Sequence, residues 1–398
     1  MTDLFARTRS LFALPDETIY MVGNSLGAMP RAVPARMAEV VSGEWGRHLV
    51  AGWNKAGWFD LPARIGARIG TMLGAAPGSV MVADSTSLNV FKLLVAALAL
   101  NPARRVIVSD SGNFPTDLYV AQGLASLLGQ GYRLETVAPE ALEGAVDERV
   151  AALVVTEVDY STGRRHDVPA LVARARSHGV PVLLDLCHSA GAVPVDLTGL
   201  GVEFAVGCGY KYLNGGPGAP SFAYVRPDLQ HGLASPLWGW MGHAAPFDFA
   251  PDYRPAEGMA RLRVGTPAIL SMAALDAALD VWEGVDMELV RARSLELSDI
   301  LIGEVGRLCP GLELLTPRDH MARGSQVCFR FDHAWPAVRA LMDVGVHGDF
   351  RAPHTMRFGL TPLYLSPEDV AEAGRRIAGV INTRAWDRPE YHARAQVT

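Results

Sequence analysis

The segment Gly207-Cys-Gly-Tyr-Lys-Tyr-Leu-Asn-Gly-Gly-Pro-Gly218 places one lysine, Lys211, among glycines and tyrosines. The apolar run Glu203-Phe-Ala-Val-Gly207 before it predicts a buried strand that delivers the lysine to a strand end. Glycine permits positive φ and a close approach of the backbone to a ligand. A lysine held in such a loop can act as an amine nucleophile, as a Schiff base requires. The alternative is a glycine-rich loop with a solvated lysine.

Predicted strands alternate with predicted helices around this segment. The strands are Ser79–Ala83, Arg105–Val108, Ala151–Val155, Val180–Leu184 and Phe204–Val206, and the helices include Leu88–Leu100 and 169–178. This alternation predicts an α/β fold with a mostly parallel sheet covered on both faces. Ligands of such sheets bind at the carboxyl ends of the strands. The residues that fall at these ends are Asp110, Thr156, Asp185 and Lys211.

The length of 398 residues predicts more than one domain. We expect an N-terminal segment over 1–60, a large domain over 61–285 and a smaller α+β domain over 286–398. Within the smaller domain, the pattern predicts helices at 287–308 and 367–381 and a strand at 326–331.

Composition argues against several classes of function. A formal net charge of -6 and a pI near 6.0 disfavour a general nucleic-acid or membrane-surface role. Apolar runs such as Leu93–Leu100 are too short to span a bilayer. The cysteines show neither CxxC nor Cys/His metal spacing, so no metal site is predicted, and a reducing, cytoplasmic location is expected. They are Cys187, Cys208, Cys309 and Cys328.

Two polar segments could complete a ligand site with Lys211. Asp185 ends an apolar strand 26 positions before the lysine (211 minus 185), which leaves room for both to reach one pocket. A carboxylate facing a pyridinium nitrogen, with a lysine at the other end of the ring, is the arrangement that pyridoxal phosphate needs. Ser85-Thr86-Ser87 at a helix start could bind a phosphate. The simpler interpretations are a helix N-cap at Asp185 and an ordinary helix start at Ser85.

Three further candidates have equally plain structural interpretations. Phe114 could stack on a flat cofactor, or it could belong to the core. Arg357, in an apolar strand-like run, requires a partner, which could be a substrate carboxylate or an internal Asp or Glu. The segment Trp238-Gly-Trp-Met-Gly-His243 could be a packing cluster or an aromatic substrate pocket.

Taken together, these motifs resemble the kynureninase family over nearly the whole chain. The motifs that carry the resemblance are Gly23-Asn-Ser-Leu-Gly27, Asp84-Ser-Thr-Ser-Leu-Asn89, Asn113-Phe-Pro-Thr-Asp117, Asp185-Leu-Cys-His-Ser-Ala-Gly191, Gly209-Tyr-Lys-Tyr-Leu-Asn-Gly-Gly-Pro-Gly218, Gly239-Trp-Met-Gly-His243 and Arg357-Phe-Gly-Leu-Thr-Pro-Leu-Tyr364. The resemblance implies fold type I of the pyridoxal phosphate enzymes, with a mainly parallel seven-stranded sheet and a smaller C-terminal domain. It also implies a homodimer whose active sites lie at the subunit interface, with residues 1–60 packing on the small domain and on the partner.

The same resemblance assigns roles to individual residues. Lys211 would form the imine with pyridoxal phosphate, Asp185 would face the pyridine nitrogen, and Tyr210 would relay a proton. The other residues expected at the cofactor are Thr86, Ser87, Phe114, Pro115, Thr116, Asp117, Thr156, His188, Trp240 and Thr266, of which Trp240 and Thr266 would reach the phosphate from the other subunit. Arg357 would bind the substrate α-carboxylate, and Trp53 would orient its aryl ketone.

The implied activity is hydrolytic Cβ–Cγ cleavage of L-kynurenine to anthranilate and L-alanine, and of 3-hydroxy-L-kynurenine to 3-hydroxyanthranilate and L-alanine. The resemblance places this reaction in tryptophan catabolism or in the synthesis of NAD precursors. Threonine at position 266 resembles the bacterial form of the family, which favours L-kynurenine over its 3-hydroxy derivative. Two alternatives stay open. One is a cysteine desulfurase or related aminotransferase-type enzyme of the same fold, which would need an exposed nucleophilic cysteine. The other is a non-catalytic protein that binds pyridoxal phosphate.

Overall fold

The computed structural model describes residues 4–393. Its strands, in chain order, are β1 (Ile19–Tyr20), β2 (Val80–Val82), β3 (Val106–Asp110), β4 (Arg133–Val137), β5 (Val150–Thr156), β6 (Val182–Asp185), β7 (Phe204–Cys208), β8 (Ser221–Val225), β9 (Glu313–Leu314), β10 (Gln326–Arg330), β11 (Val346–His347), β12 (Asp349–Arg351) and β13 (Thr355–Gly359).

The α-helices of the same residues connect these strands. They are α1 (Leu4–Ser10), α2 (Ala32–Glu39), α3 (Gly46–His48), α4 (Gly52–Lys55), α5 (Leu61–Met72), α6 (Thr86–Leu100), α7 (Pro115–Leu128), α8 (Leu142–Ala145), α9 (Val168–Ser177), α10 (Leu197–Leu200), α11 (Ile269–Ala278), α12 (Met287–Leu308), α13 (Ala334–Asp343), α14 (Pro367–Asn382) and α15 (Pro389–His392). A π-helical turn, Val40–Trp45, joins α2 to α3.

Seven strands form the central sheet in the order β2-β8-β7-β6-β5-β3-β4. All neighbours are parallel except at β8, which runs antiparallel to both β2 and β7. The predicted fold type, a mainly parallel seven-stranded sheet with a smaller C-terminal domain, is therefore confirmed. Strands β3, β5, β6 and β7 are buried along their whole length because helices cover both faces, as parallel sheets require.

Two helices that follow strands of this sheet begin at positions the sequence explains. The Ser85 side chain accepts a hydrogen bond from the Leu88 backbone N–H, 3.5 Å away, and so caps α6. Pro115 stands in the first turn of α7, where its missing N–H leaves no partner unsatisfied. Both helix starts lie at the edge of the sheet where the parallel strands end, which brings their exposed N–H groups to one place.

The C-terminal part of the chain forms a second sheet. Strands β12, β13, β10 and β9 are antiparallel in that order, and α12 packs against α14 beside them. The N-terminal segment is bound to this region, because β1 pairs in parallel with β11. The Thr8 hydroxyl also donates to the carbonyl of Leu363 at 2.8 Å. The domain limits and the contact of residues 1–60 with a partner stay predictions.

Among residues 4–393, no helix combines the length and apolar character needed to cross a membrane. The same residues contain no group of three or more His, Cys, Asp or Glu side chains placed to hold a metal ion.

Candidate active site

The carboxyl ends of four adjacent strands meet at one edge of the central sheet. Thr156 and Asp185 are the last residues of β5 and β6 and are direct partners in the ladder. Asp110 ends β3, and Lys211 follows the end of β7. The parallel order of these strands therefore brings together side chains that are far apart in sequence.

A cavity of about 160 Å³ opens at this edge. It is lined by ten residues that the sequence predicted for the cofactor site and by Cys187: Thr86, Ser87, Phe114, Thr116, Asp117, Thr156, Asp185, Cys187, His188, Tyr210 and Lys211. Cys187 was expected to be a small buried side chain, although its place between Asp185 and His188, two residues predicted for the site, was a signal that could have found it. We refer to this space as the lysine cavity.

Lys211 is the lysine that reaches the lysine cavity. The sequence holds two others, Lys55 and Lys92. Lys92 is fully buried and binds the Asp84 carboxylate at 2.7 Å and the Leu262 carbonyl at 2.8 Å. Lys211 Nζ lies 3.2 Å from His188 Nε2 and 5.8 Å from the ring centre of Phe114. A single primary amine is thus presented to the cavity beside a flat ring.

His188 connects the lysine to the N-terminal loop. Its Nε2 lies 3.1 Å from the Asn24 carbonyl oxygen as well as near Lys211 Nζ. Burial, and then the charges of Lys211 and Arg357, lower the pKa of His188 well below its usual range. The imidazole is therefore neutral at pH 7 and adds no second positive charge next to the amine. Asn24 belongs to the predicted Gly23–Gly27 motif, but its contact with His188 was not foreseen.

Two carboxyl groups stand at the base of the lysine cavity. Asp117 and Asp185 are both almost completely buried, and the Cys187 backbone N–H donates to Asp185 Oδ1 at 2.6 Å. Burial, and then the neighbouring Asp185, raise the pKa of Asp117 well above its usual range. A pair of buried acids in this state favours a cationic partner, such as a protonated ring nitrogen.

Asn113 fixes the position of Phe114 above these acids. Its Oδ1 accepts hydrogen bonds from the Phe114 backbone N–H at 2.6 Å and from the Thr156 hydroxyl. Its Nδ2 donates to the Ser109 hydroxyl at 2.9 Å. This network joins the ends of β3 and β5 to the start of α7, and it holds the Phe114 backbone at the wall of the lysine cavity.

A second, larger cavity of about 510 Å³ adjoins the lysine cavity at the N-terminus of α6. Thr86, Ser87 and Tyr210 line both spaces, while Arg263 and Thr266 line only the second. Exposed N–H groups at the start of a 15-residue helix, next to two hydroxyls, suit a phosphate group.

Four of the predicted site residues line neither cavity in the single chain. Pro115 starts α7 without reaching either space. Trp240 packs on Phe247, and its neighbour Gly239 lies against Val264, close to Thr266 in sequence. Trp53 packs edge-on against Trp58. The roles of these residues stay predictions.

Arg357 is the fourth residue that lines neither cavity, and its buried side chain is hydrogen-bonded to other parts of the chain. Its Nε and Nη2 donate to the two carboxylate oxygens of Asp349 at 2.8 and 2.5 Å, and Nη1 donates to the Tyr160 carbonyl at 2.6 Å. The sequence did not identify which internal acid could pair with Arg357, and the structure shows that it is Asp349. The Tyr160 ring meets Phe114 edge-on at 5.1 Å, which links Arg357 to the lysine cavity. Neither partner was foreseen, because each pairing joins parts of the chain that periodicity does not connect.

The geometry of the lysine cavity fits pyridoxal phosphate. The lysine amine can react with the aldehyde of this cofactor, and the flat aromatic ring can cover one face of its ring. The buried acid pair suits its ring nitrogen, and the helix N-terminus with two hydroxyls suits its phosphate. Each of these groups comes from a different element of the central sheet region. The arrangement can bind an amino acid substrate next to a cofactor of this kind.

Comparisons with known proteins agree with this chemistry. A model of the kynureninase C-terminal domain matches residues 290–377. Kynureninase from Burkholderia pseudomallei (strain 1106a) is 47% identical over 403 residues, which cover 100% of this chain and 97% of that protein.

Solved structures show the fold of the chain. A cysteine desulfurase from Thermococcus onnurineus NA1 superimposes with a TM-score of 0.80 at 20% identity and covers 95% of this chain and 98% of its own. A C-DES mutant with glycine covalently linked to its pyridoxal phosphate cofactor gives a TM-score of 0.78 at 19% identity, covering 93% and 98%. At these identities the likeness establishes the architecture and not the reaction.

The raised pKa of Asp117 predicts a pH-dependent effect of Asp117→Asn on the cofactor-free protein. The stability that the neutral acid contributes is fully present below the ordinary Asp pKa of about 3.9 and is lost as pH rises through the raised folded-state value. Asparagine cannot ionise, so the variant keeps this contribution. We therefore expect Asp117→Asn to become more stable relative to the wild type as the pH rises from 4 to 7.

Asp252→Asn, at an exposed position, is the matched control and should give the same small change at both pH values. Thermal melting followed by circular dichroism measures both differences. An Asp117→Asn difference that stays constant with pH would show that Asp117 ionises in the fold without penalty.

Proposed function

The chain belongs to the kynureninase family, and from this premise we propose that it hydrolyses the Cβ–Cγ bond of L-kynurenine to give anthranilate and L-alanine. It is a pyridoxal phosphate-dependent hydrolase. The observation that carries the proposal is the position of Lys211 in a cavity with Asp185, Phe114 and Tyr210.

The cofactor would be held by residues from both ends of the lysine cavity. When bound, pyridoxal phosphate supplies an electron-accepting ring that stabilises negative charge on the substrate carbons. Asp185, supported by Asp117, would keep the ring nitrogen protonated, and Phe114 would cover one face of the ring. Thr86, Ser87 and the N-terminus of α6 would hold the phosphate.

Lys211 is the group placed to move the proton at the substrate Cα. Its Nζ faces the lysine cavity and lies 3.2 Å from His188 Nε2. Because the His188 pKa is lowered well below its usual range, that ring stays neutral and does not repel a protonated amine. The lysine can therefore accept the Cα proton and return it within one pocket.

Tyr210 is suited to act as a hydrogen-bond donor to the substrate carbonyl. Burial, and then the neighbouring Cys208 and Cys187, raise the pKa of the Tyr210 phenol above its ordinary value of 10.0. The hydroxyl is thus protonated at neutral pH, and it can polarise the γ-carbonyl so that water adds there. When the Cβ–Cγ bond breaks, the same hydroxyl can give its proton to Cβ and take one from the hydrated carbonyl, which becomes the carboxyl group of anthranilate.

Substrate selection would use groups around the two cavities. Arg357 would attract the α-carboxylate, and Trp53 would contact the aryl ketone. Thr266 lines the same cavity as Tyr210, and threonine at this position, as in the bacterial form of the family, supports L-kynurenine as the preferred substrate over the 3-hydroxy form.

The cysteines argue against the desulfurase alternative. A desulfurase needs an exposed thiol that is readily ionised. All four cysteines are free and buried in this fold. Burial raises the pKa of Cys309 and raises that of Cys328 to about 12, so neither thiol is an effective nucleophile at pH 7. The hydrogen bond with Cys208, and then burial, raise the pKa of Cys187 well above its usual range. The same contact with Cys187 lowers the pKa of Cys208 against the effect of burial, but this thiol is buried and not exposed as a desulfurase requires.

The direct test is the conversion of L-kynurenine by the pyridoxal phosphate-loaded protein. We expect anthranilate, measured by its fluorescence, and L-alanine in equal amounts. Lys211→Ala should abolish both products and the covalent attachment of the cofactor, measured by mass spectrometry after borohydride reduction. Lys55→Ala, at an exposed position, should retain both. A loaded wild-type protein that forms no anthranilate would refute the proposed function.

Substitution of Tyr210 tests the role of its hydroxyl. Tyr210→Phe removes only the donor, so kcat should fall by about 100- to 1,000-fold while KM changes by less than about threefold. Tyr119→Phe, on an exposed ring, should match the wild type in both constants. Steady-state kinetics with L-kynurenine gives the values, and a kcat within a factor of three of wild type would exclude Tyr210 from the carbonyl step.

We also propose that the chain forms a homodimer through an exposed aromatic patch. The patch consists of Trp240, Phe247 and Phe249, and Phe247 contacts Phe59 at 5.9 Å between ring centres. Phe249 is 78% exposed, which is unusual for a large apolar side chain. The patch adjoins the segment that carries Thr266, so a second copy seated on it would lie next to the phosphate end of the site.

Sedimentation velocity tests this assembly. The wild type should sediment at twice the chain mass of 42.7 kDa, and Phe249→Ser should raise the dimer dissociation constant by about tenfold or more. Leu127→Ser removes a comparably exposed side chain from α7 and should leave the constant unchanged. A wild type that stays monomeric at micromolar concentration would contradict the proposal.

A cytoplasmic location is part of the same proposal. It is supported by the four free cysteines, which are typical of reducing compartments. Cell fractionation with an antibody to the protein would test it.

A further inference from the structure

Two arginines of the small domain share one buried carboxylate. Asp349 and Arg351 lie on β12, and Arg357 lies on the adjacent strand β13. Asp349 Oδ2 is 2.5 Å from Arg357 Nη2 and 2.9 Å from Arg351 Nη2. In the part of the chain that the structure describes, neither arginine has another ion pair. One positive charge of the trio is therefore not neutralised.

The Arg357 side chain has almost no accessible surface and no free donor edge with which to bind a ligand. Its side chain is 1% exposed, Asp349 occupies its Nε–Nη2 edge, and the Tyr160 carbonyl accepts from Nη1. Asp349 further holds this arginine in its charged form, because it raises the pKa of Arg357 against the opposing effect of burial. A carboxylate that approached Arg357 alone would meet a guanidinium already committed to an internal pair.

Arg351 has the accessible surface that Arg357 lacks. Its side chain is 31% exposed, and its Nη2 lies 3.4 Å from the Ser25 hydroxyl. Its Nη1 donates to the Phe350 carbonyl at 3.0 Å. The exposed guanidinium therefore faces the Gly23–Gly27 loop instead of bulk solvent alone.

The Gly23–Gly27 loop also contacts the lysine cavity. The Asn24 carbonyl lies 3.1 Å from His188 Nε2, and the Gly27 N–H donates to the Tyr210 carbonyl at 2.8 Å. Ser25, between these contacts, is the residue nearest Arg351 in this loop. Burial lowers the pKa of His188 most, and the charges of Lys211, Arg357 and Arg351 lower it further, so both arginines are near enough to act electrostatically on this ring. The loop therefore connects the immediate neighbours of Lys211 to the Arg351 guanidinium, the exposed positive group that can attract a carboxylate bound beside the lysine.

We propose that Arg351 contacts the substrate α-carboxylate together with the Ser25 hydroxyl, while Asp349 and the buried Arg357 fix its position and Arg357 adds only its charge. The inference rests on the proposed function, because it concerns the substrate of that same site. It assigns Arg351 to substrate selection: ligands with a carboxylate on the carbon that bears the amine bind through it, and the corresponding amines do not.

Arg351→Ala in the pyridoxal phosphate-loaded protein is the test. The variant should raise KM for L-kynurenine by about 10- to 100-fold, the loss expected for a charged hydrogen bond, while kcat changes by less than about threefold. The inhibition constant of L-alanine should rise by a similar factor. That of kynuramine, the amine that lacks the carboxylate of kynurenine, should stay within twofold.

Arg330→Ala is the matched control, since Arg330 lies on β10 of the same sheet with a 52% exposed side chain and only a 3.9 Å contact to Glu313. It should leave all three constants unchanged. Arg351→Lys keeps the positive charge but lacks the two parallel N–H donors of a guanidinium, so it should recover part of the affinity that Arg351→Ala loses.

Two outcomes would overturn the inference: a KM of Arg351→Ala within twofold of wild type, or equal weakening of L-alanine and kynuramine, which would indicate a purely structural role. A wild type that does not cleave L-kynurenine would instead refute the proposed function.

Discussion

The pairing of Asp117 with Asp185 beneath Lys211 is the interaction on which the site depends. Two acids from different elements are buried together, and burial with mutual repulsion raises the pKa of Asp117. Such a pair is stable only if a proton or a cation lies between or beside the two groups. The strand order of the central sheet brings the acids together, and the same order places the lysine amine and the Phe114 ring where a cationic aromatic ring would fit.

The small domain carries a positive charge, opposite in sign to that of the acid pair in the large domain. Arg351 and Arg357 share Asp349, which leaves a net positive end facing the N-terminal loop, while Asp117 and Asp185 form an acidic end in the large domain. Between them, His188 is kept neutral by burial. The site is thus polarised along its length, and this polarity suits a cofactor with a cationic ring at one end and a substrate with a free carboxylate at the other.

Much of the fold could be predicted from the sequence, because buried parallel strands are short apolar runs. Strands β3, β5, β6 and β7 and the helix Met287–Leu308 were predicted to within a few residues. Strand β4 was not, since its residues are half exposed at the sheet edge and show no apolar run. The antiparallel β8 was also missed, although Ser221–Val225 is a short buried run that pairs with β7, the strand directly before it in the chain. The residues of the site likewise fall into a group that could be predicted from the sequence and a group that could not. Residues at strand ends and helix starts could be predicted from local patterns and the family resemblance, and ten of them line one cavity. The contacts that hold Arg357 could not be predicted, because Asp349 reaches it across a hairpin and Tyr160 reaches it from the large domain.

The likeness to cysteine desulfurases shows how one architecture can support a different reaction. A fold of this kind places a lysine, an acid and a phosphate-binding helix start at fixed positions, and these parts serve any reaction at the substrate Cα. The chemistry at the next carbons depends on a nucleophile or a donor added nearby. In this chain the thiols are buried, and Cys328 has its pKa raised to about 12, whereas the protonated Tyr210 hydroxyl lines both cavities. A hydrogen-bond donor beside buried thiols favours addition of water to a carbonyl over attack on sulfur, and we propose that Tyr210, not the sheet, decides between the two chemistries.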